Sequence, residues 1–200
     1  MSKLVRSESS LVFHYINLFQ CCPRKWYMRY VKGWRPKWTA KPLVLGGAFH
    51  EGKATFYLKK KEKEAVKVAL EYCEECKSQV ESKEVYEDIL YRVENLLHYW
   101  IERVGKNDLV QYKAVEVEQE LIVPIEGTDF KMTMRPDAIL KDKGSELVLI
   151  LETKTSGFSH RLTSEAVYYG DQATAYLWGT RKMRPKLNPY AVMPDVADWN

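Results

Sequence analysis

The chain has 200 residues, of which 46% are hydrophobic and 12% aromatic, a profile typical of a globular protein with one sizeable core. A net charge of +4 permits a nucleic-acid partner without requiring one. No stretch approaches the roughly 20 apolar residues of a membrane span. The N-terminus also lacks the apolar core of a signal peptide, so we expect a soluble, cytoplasmic protein without a membrane partner.

A helix is predicted for residues 9–31, capped by Ser9 or Ser10 and ended near Gly33. Basic and aromatic residues alternate from its middle into the following linker: Arg24, Lys25, Trp26, Tyr27, Arg29, Tyr30, Lys32, Trp34, Arg35, Lys37, Trp38 and Lys41. In a nucleic-acid interface, such cations neutralise phosphates while the rings stack on unpaired bases. In the alternative, which we weigh equally, Trp26 and Tyr30 are core residues of an amphipathic helix and the cations face water.

The next segments predict helices with one candidate polar residue. Gly46 and Gly47 suit a tight turn into a helix that begins near Ala48, with His50 in its first turn. From the local pattern alone, such a histidine is more often an ordinary polar residue than a ligand. One or two long helices are predicted for residues 62–104, with a break at 105–108.

From residue 112 the hydrophobic period changes to two, which indicates strands. Turns at 126–129 and 141–145 separate the first three strands, and the third, an unbroken apolar run, should be a buried central strand. A helix is predicted for residues 164–180. The predicted strands are residues 112–123, 130–140, 147–151 and a last one near 190–193.

Two carboxylates and a lysine lie at the ends of neighbouring predicted strands. Asp137 follows Pro136, while Glu152, Thr153 and Lys154 extend the central apolar run. Asp137 and Glu152, with the Thr153 carbonyl, suit Mg²⁺ or Mn²⁺, and Lys154 would orient or deprotonate the attacking water. Alone, the Glu-Thr-Lys tripeptide fits a solvated ion pair equally well. Its place at the end of a buried strand, and the Pro-Asp pair upstream, favour catalysis.

Together these motifs resemble the RecB-like members of the PD-(D/E)xK nuclease superfamily. Five segments occur in the order of that family: SSLVFHYINLFQCCPRKWYMRYVKG, LVLGGAFHEGKATFY, Pro136-Asp137, Glu152-Thr153-Lys154, and DQATAYLWG with its Q-x-x-x-Y arrangement. The resemblance implies an α/β fold with a restriction-endonuclease-like core, in which helices flank a mixed central sheet. It also implies a single nuclease domain over residues 1–200, helical in 1–108 and catalytic in 109–200. Many relatives continue beyond this C-terminus, so a compact protein and a truncated one are both open.

The resemblance also assigns roles to residues outside the strand motifs. It implies that His50 faces the metal, either as a ligand or as a support to one. Gln172 and Tyr176 are four residues apart on one helical face, and by resemblance they position DNA or the metal-bound groups. In the alternative, Tyr176 is an ordinary core residue and Gln172 bonds locally.

The family further suggests that a glutamate just ahead of Asp137 approaches the metal. Of Glu116, Glu118 and Glu120, we choose Glu120 and expect the other two to face solvent. The candidate contacts to DNA are Arg24, Lys25, Arg29 and Arg161.

The four cysteines do not complete a recognisable metal site. Cys73 and Cys76 form a single CxxC without the second pair that a zinc site needs. Some relatives, including CRISPR-associated nucleases, hold an iron–sulfur cluster with one cysteine before the nuclease core and three after it. Cys21 or Cys22 matches the first position, but no cysteine follows Gln172, so no cluster is expected within this chain.

The resemblance predicts an Mg²⁺- or Mn²⁺-dependent deoxyribonuclease, more an exonuclease than an endonuclease, acting on single- or double-stranded DNA ends in bacterial or phage recombination and repair. The sequence lacks an ATP-binding phosphate loop, so unwinding would come from a helicase or recombination partner. Two alternatives stay open. One is a non-catalytic DNA-binding module of the same fold, and the other is an iron–sulfur nuclease whose remaining cysteines lie beyond this chain.

Overall fold

A computed structural model of the protein describes residues 10–156 and 170–198. Within these ranges no helix combines the length and apolar character needed to cross a membrane. The helices are α1 Phe13–Cys21, α2 Pro23–Trp26, α3 Lys41–Lys59, α4 Glu62–Cys76, α5 Lys83–Trp100, α6 Lys106–Gln111 and α7 Asp171–Met183. The strands are β1 Ser10–Val12, β2 Tyr112–Val117, β3 Leu121–Pro124, β4 Lys131–Met134, β5 Ala138–Asp142, β6 Val148–Ser156 and β7 Ala191–Asp198.

The described strands form two mixed sheets flanked by helices, which confirms the predicted α/β fold class. The smaller sheet has the order β1-β4-β3, and the larger one has the order β2-β5-β6-β7. In the larger sheet β6 pairs antiparallel with β5 and parallel with β7. The apolar run therefore forms a central strand, as predicted.

Both faces of β6 are buried, which explains why its sequence is continuously apolar. Leu151 packs on one face with residues of α3 and α5, including Phe49 and Leu97. Ile150 packs on the other face with Tyr176 of α7 and with residues of β3 and β4. A strand covered on two sides cannot alternate apolar and polar residues. The two clusters fix the position of the strand that carries Glu152 and Lys154.

Two predicted strands are each broken in the middle, and the breaks lie side by side. The segment 112–123 divides at Glu118, whose backbone is left-handed with a φ of +50°. The segment 130–140 divides at Pro136, which has no N–H to donate to a sheet. The Glu118 N–H donates to the Asp137 carbonyl at 3.0 Å and joins the two breaks. The chain thus crosses between the sheets twice at one place.

The predicted helix over residues 9–31 is wrong at its start. Residues 10–12 form β1, which pairs parallel with β4 from Ser10 opposite Lys131 onward. The helix begins at Phe13 with Val12 as its N-cap, so Ser10 does not cap it, and Ser9 lies outside the described ranges. The helical path then breaks at extended Cys22, because Pro23 begins α2. It continues as a wide turn to Val31 and ends near Gly33, as predicted.

Two of the predicted turns are helical instead. Helix α3 begins at Lys41, so Gly46 and Gly47 lie within it rather than ahead of it. A Cβ at Gly47 would lie 2.4 Å from the Tyr72 hydroxyl oxygen, so this glycine serves the close packing of α4 rather than a turn. The predicted break at 105–108 is occupied by the start of α6.

Gly52 gives a stability prediction for the contact of α3 with α4 and α5. A Cβ at Gly52 would lie 2.4 Å from Leu97 Cδ2 and 3.3 Å from the Ala65 carbonyl oxygen. We therefore expect Gly52→Ala to lower the free energy of unfolding by about 1–3 kcal/mol, although helix propensity alone favours alanine by about 1 kcal/mol. Urea denaturation measures the change.

The Leu97→Ala background provides the control for Gly52→Ala. Removing the Leu97 side chain empties the space that the new methyl group needs. The second substitution should then cost much less than it does in the wild type. An equal cost in both backgrounds, or a more stable single variant, would contradict the steric explanation.

Candidate active site

The candidate site lies where the two strand breaks meet the middle of α3. His50 of α3 faces Glu118 after β2 and Asp137 before β5. Its Nδ1 is 3.3 Å from Asp137 Oδ1 and 3.7 Å from Glu118 Oε1. One candidate ligand atom from each residue lies within 4.8 Å of the other two. These residues line a small cleft with, among others, Lys53, Tyr57 and Thr153.

A backbone hydrogen bond and a side-chain ion pair hold the two carboxylates of this group in place. Asp137 Oδ2 accepts the N–H of Thr153 at 2.5 Å, which leaves Oδ1 next to His50. Glu118 Oε2 pairs with Arg135 Nε at 3.0 Å. The β5–β6 pairing, with Ala138 opposite Leu151, sets the distance between Asp137 and Thr153.

Glu152 and Lys154 lie on the adjacent strand, outside the group of three. The Glu152 side chain is buried, and its Oε1 forms an ion pair with Lys154. Its Oε2 is also buried, yet it has no hydrogen-bond partner among the described residues. Such an oxygen costs free energy unless another group satisfies it. The Lys154 side chain is 41% exposed and reaches from this buried pair toward solvent.

The charges of the site are strongly coupled. Burial and, to a smaller extent, the nearby charge of Asp137 raise the pKa of Glu152 to about 7, against the opposing effect of Lys154. Burial alone would lower the pKa of His50, but its hydrogen bonds with Asp137 and Glu118 outweigh that effect and raise it to about 9. Despite burial, the hydrogen bond and charge of His50 hold the pKa of Asp137 below its usual value. The site is thus arranged to hold positive charge between its carboxylates.

The two residues of the Q-x-x-x-Y arrangement join the site through hydrogen bonds. Lys154 Nζ donates to Gln172 Oε1 at 3.4 Å, and Gln172 Nε2 donates to the Tyr176 hydroxyl at 2.9 Å. That hydroxyl donates to the Arg135 carbonyl at 3.1 Å. The chain of bonds links the lysine of β6 to the turn that presents Asp137. A role of this pair in positioning DNA stays a prediction.

Lys53 belongs to the site's support and was missed by sequence reasoning. It is buried, donates to Thr153 Oγ1 at 2.6 Å and forms an ion pair with Asp195 of β7. Asp195 Oδ2 also accepts from Trp100 Nε1 at 3.0 Å. The only local signal is its spacing of three residues from His50, which places both side chains on one face of α3.

Of the three candidate glutamates ahead of Asp137, Glu118 lies in the group with His50 and Asp137, whereas the expected one was Glu120. Glu120 is exposed and is not part of the group. Glu118 is partly buried, and so is Glu116, whose Oε1 accepts from Arg184 Nε at 2.8 Å. The expected solvent exposure of these two is therefore wrong. Glu118 is turned toward His50 where the backbone becomes left-handed, and Glu116 is held by Arg184, a distant partner that the local sequence does not indicate.

The predicted DNA contacts are not all described. Arg24, Lys25 and Arg29 are exposed in α2 and the turn that follows it, and Arg161 lies outside the described ranges.

The four cysteines are free, and burial raises the pKa of the Cys73 thiol to about 11.

The sequence pattern of the PD-(D/E)XK nuclease superfamily matches residues 13–194, a range that contains His50, Glu118, Asp137, Glu152 and Lys154. No curated protein matches the chain. Among solved structures it is similar to SSO0001, with 14% identity and a TM-score of 0.40, and to VC1899 from Vibrio cholerae, with 11% and 0.27. These likenesses cover 96% and 98% of this chain but only 65% and 48% of the two proteins. With TM-scores below 0.5, they establish neither fold nor function. The superfamily match covers most of the chain, so the protein belongs to the PD-(D/E)XK nuclease superfamily, a membership that suggests a metal-dependent nuclease.

Proposed function

We propose that the protein is a divalent-metal-dependent deoxyribonuclease that hydrolyses phosphodiester bonds from DNA ends. One observation carries the proposal: His50, Glu118 and Asp137 meet beside Glu152 and Lys154 at the crossing between the two sheets. Family membership supports the nuclease class. The geometry of the site supports the choice of these five residues as the ones that would act in cleavage.

The residues of the site fit a hard divalent cation. Carboxylate oxygens and an imidazole nitrogen are ligands that Mg²⁺ and Mn²⁺ accept. The buried Glu152 Oε2 has no hydrogen-bond partner in the described part of the chain. A bound cation would supply that missing partner. We propose that His50, Asp137, Glu152 and the Thr153 carbonyl hold the ion, with Glu118 beside them. When bound, the ion would lower the pKa of a water molecule and neutralise charge on the phosphate.

The chain's own groups would act around that ion in distinct ways. Lys154 extends from buried Glu152 toward solvent, where its ammonium group can orient the attacking water or stabilise charge on the phosphate. Gln172 Oε1 accepts a hydrogen bond from Lys154 Nζ and would thereby help to orient the ammonium group. Tyr176 fixes the turn before Asp137 through the Arg135 carbonyl. We propose that the two α7 residues position rather than react.

We further propose a RecB-like exonuclease of one domain that works in the cytoplasm, in recombination, repair or phage DNA processing. The order of the five motifs supports this relationship. Any unwinding of duplex DNA would depend on a helicase or recombination partner.

The proposed activity is tested with end-labelled linear DNA and covalently closed circular DNA. Each substrate is incubated with purified protein and Mg²⁺, Mn²⁺ or EDTA. We expect progressive shortening of the linear DNA with either metal, no shortening in EDTA, and no cutting of the circle. Cutting of the circle would show an endonuclease instead. DNA binding without cleavage under every condition would favour the non-catalytic module.

The assignment of Glu118 to the site gives a prediction with a built-in control. We expect Glu118→Gln to raise the Mg²⁺ concentration for half-maximal cleavage by about 10–100-fold, because it removes a negative charge beside His50 and Asp137. The same change at exposed Glu120 should have no effect. Calorimetric titration with Mn²⁺ checks the affinities independently of activity. A larger shift for Glu120→Gln would contradict the assignment.

A further inference from the structure

The positive charge of the chain is concentrated in one part of the sequence. Residues 9–50 contain seven Lys or Arg residues and no Asp or Glu. Because the whole chain has a net charge of +4, the remainder carries a net charge of −3. We call residues 24–41 the basic segment, since all seven cations lie within it. Such a concentration of charge favours a polyanionic partner.

Four aromatic side chains before and within the basic segment pack on each other. Tyr15 and Phe19 of α1 contact Trp26 edge to face, with ring centroids 5.0 and 5.3 Å apart. Tyr30 packs on Tyr15 at 4.4 Å. These rings form a local cluster, but Trp26 and Tyr30 are only partly buried and lie outside the two hydrophobic cores, so they are not the core residues of the amphipathic-helix interpretation. Because the four rings pack on each other, a ligand would find its stacking partners among the rings outside this cluster.

Three other rings of the basic segment remain exposed. Tyr27, Trp34 and Trp38 are 41%, 67% and 39% exposed. Cations lie close to two of them, with Lys32 Nζ 5.5 Å from the Tyr27 centroid and Lys37 Nζ 4.8 Å from that of Trp38. Three exposed large rings within one segment of the chain are candidate contacts for a partner. Rings paired with cations match the alternation of base and phosphate along a nucleic-acid strand.

The basic segment leads directly into one helix of the candidate site. Lys41 begins α3, which carries His50. The Thr39 N–H also donates to the Gln79 carbonyl at 2.8 Å. At the other end, α1 and β1 precede the segment, and β1 pairs with β4, which ends at Met134. The segment is therefore held to the fold at both ends and joins the site through α3.

We propose that the basic segment is a binding surface for single-stranded DNA, in which Trp34 and Trp38 stack on unpaired bases and the neighbouring cations neutralise phosphates. The proposal names the substrate of the proposed nuclease and in that sense rests on it. A duplex would satisfy the cations, but its bases are stacked on each other and leave the exposed rings without partners. A single strand offers phosphates to the cations and unpaired bases to the exposed rings.

The test measures binding in EDTA, so that cleavage does not interfere. The probes are a fluorescent oligothymidylate and a fluorescent duplex of equal length, followed by anisotropy. We expect the wild type to prefer the single strand, and Trp34→Ala/Trp38→Ala to weaken that binding by about tenfold or more. Duplex binding should change less than about twofold, since it depends on phosphate contacts.

Two further variants control the test. Tyr91→Ala/Tyr99→Ala removes rings of α5 that are 69% and 61% exposed but lie outside the basic segment, and it should leave binding unchanged. Lys32→Ala/Lys37→Ala should reduce the salt dependence of binding, by a slope of about 0.7 for each phosphate that is no longer neutralised. Circular dichroism of each variant verifies the fold.

The outcomes separate this proposal from the proposed nuclease activity. If the wild type cleaves DNA while the double tryptophan variant binds the single strand as tightly as before, the surface proposal is overturned and the nuclease stands. Equal losses on single strand and duplex would also overturn it. If the wild type fails to cleave but the tryptophan variant selectively loses single-strand binding, the surface proposal stands without the nuclease.

Discussion

Substitution of Lys154 by alanine is expected to lower the rate of DNA cleavage by about 10²–10⁴-fold, the range for loss of a proton-transfer or charge-stabilising group. The change should affect stability little, because the side chain is 41% exposed. Its buried partner Glu152 has a pKa raised to about 7 and can take up a proton when the ammonium is removed. Steady-state cleavage and thermal denaturation of the same preparation check both parts.

Two companion variants sharpen the Lys154 prediction. Lys113→Ala removes an exposed lysine of β2 and should leave the cleavage rate unchanged. Lys154→Arg keeps the charge but cannot lose a proton near neutral pH. Partial activity in that variant would indicate charge stabilisation, whereas full loss would indicate proton transfer. Cleavage by Lys154→Ala within about tenfold of the wild type would contradict a central role for this residue.

The buried pair of Lys53 and Asp195 is expected to give the largest effect on stability. Asp195→Asn leaves the buried Lys53 ammonium without its ion-pair partner, and we expect a loss of about 3–5 kcal/mol in the free energy of unfolding. Asparagine keeps an oxygen that can accept the hydrogen bond from Trp100 Nε1. The loss of stability would therefore measure the removal of the negative charge at residue 195. Lys53→Met should cost a similar amount, because it leaves the Asp195 carboxylate without its cation. Urea denaturation measures each variant.

The double variant Lys53→Met/Asp195→Asn tests whether the two residues act as a pair. With both charges removed, the cost should fall well below the sum of the single changes, by about 2 kcal/mol or more. Additive losses would contradict the pairing. Lys53 also bonds the Thr153 hydroxyl, so the single variants should shift the metal dependence of cleavage even where they stay folded.

Sequence patterns could predict the residues whose placement depends on strand geometry. The apolar run into Glu152 and Lys154 forms a central strand because both of its faces are covered. The antiparallel β5–β6 pairing then brings Asp137 to Thr153. Both relations follow from a continuous apolar run and from the short turns that join neighbouring strands. The roles of Asp137, Glu152 and Lys154 in cleavage stay predictions until activity is measured.

The patterns failed where backbone conformation or distant contacts decide the outcome. The resemblance pointed to a glutamate ahead of Asp137, but alternation places Glu118 and Glu120 on one strand face and cannot reveal that the backbone turns left-handed at Glu118. Gly46 and Gly47 indicated a turn, yet at Gly47 the close approach of Tyr72 explains the glycine inside a helix. Lys53 has its partner Asp195 on β7, 142 residues away, so no local period reveals a buried cation.

The central claim is that the carboxylates at the crossing of the two sheets support metal-dependent cleavage. The most direct test is the cleavage of linear DNA as a function of Mg²⁺ concentration, measured in parallel for wild type and Asp137→Asn. We predict cleavage by the wild type that EDTA abolishes, and a rate at least about 10³-fold lower in the variant. A wild type that is inert at every Mg²⁺ concentration, or an equally active variant, would contradict the claim.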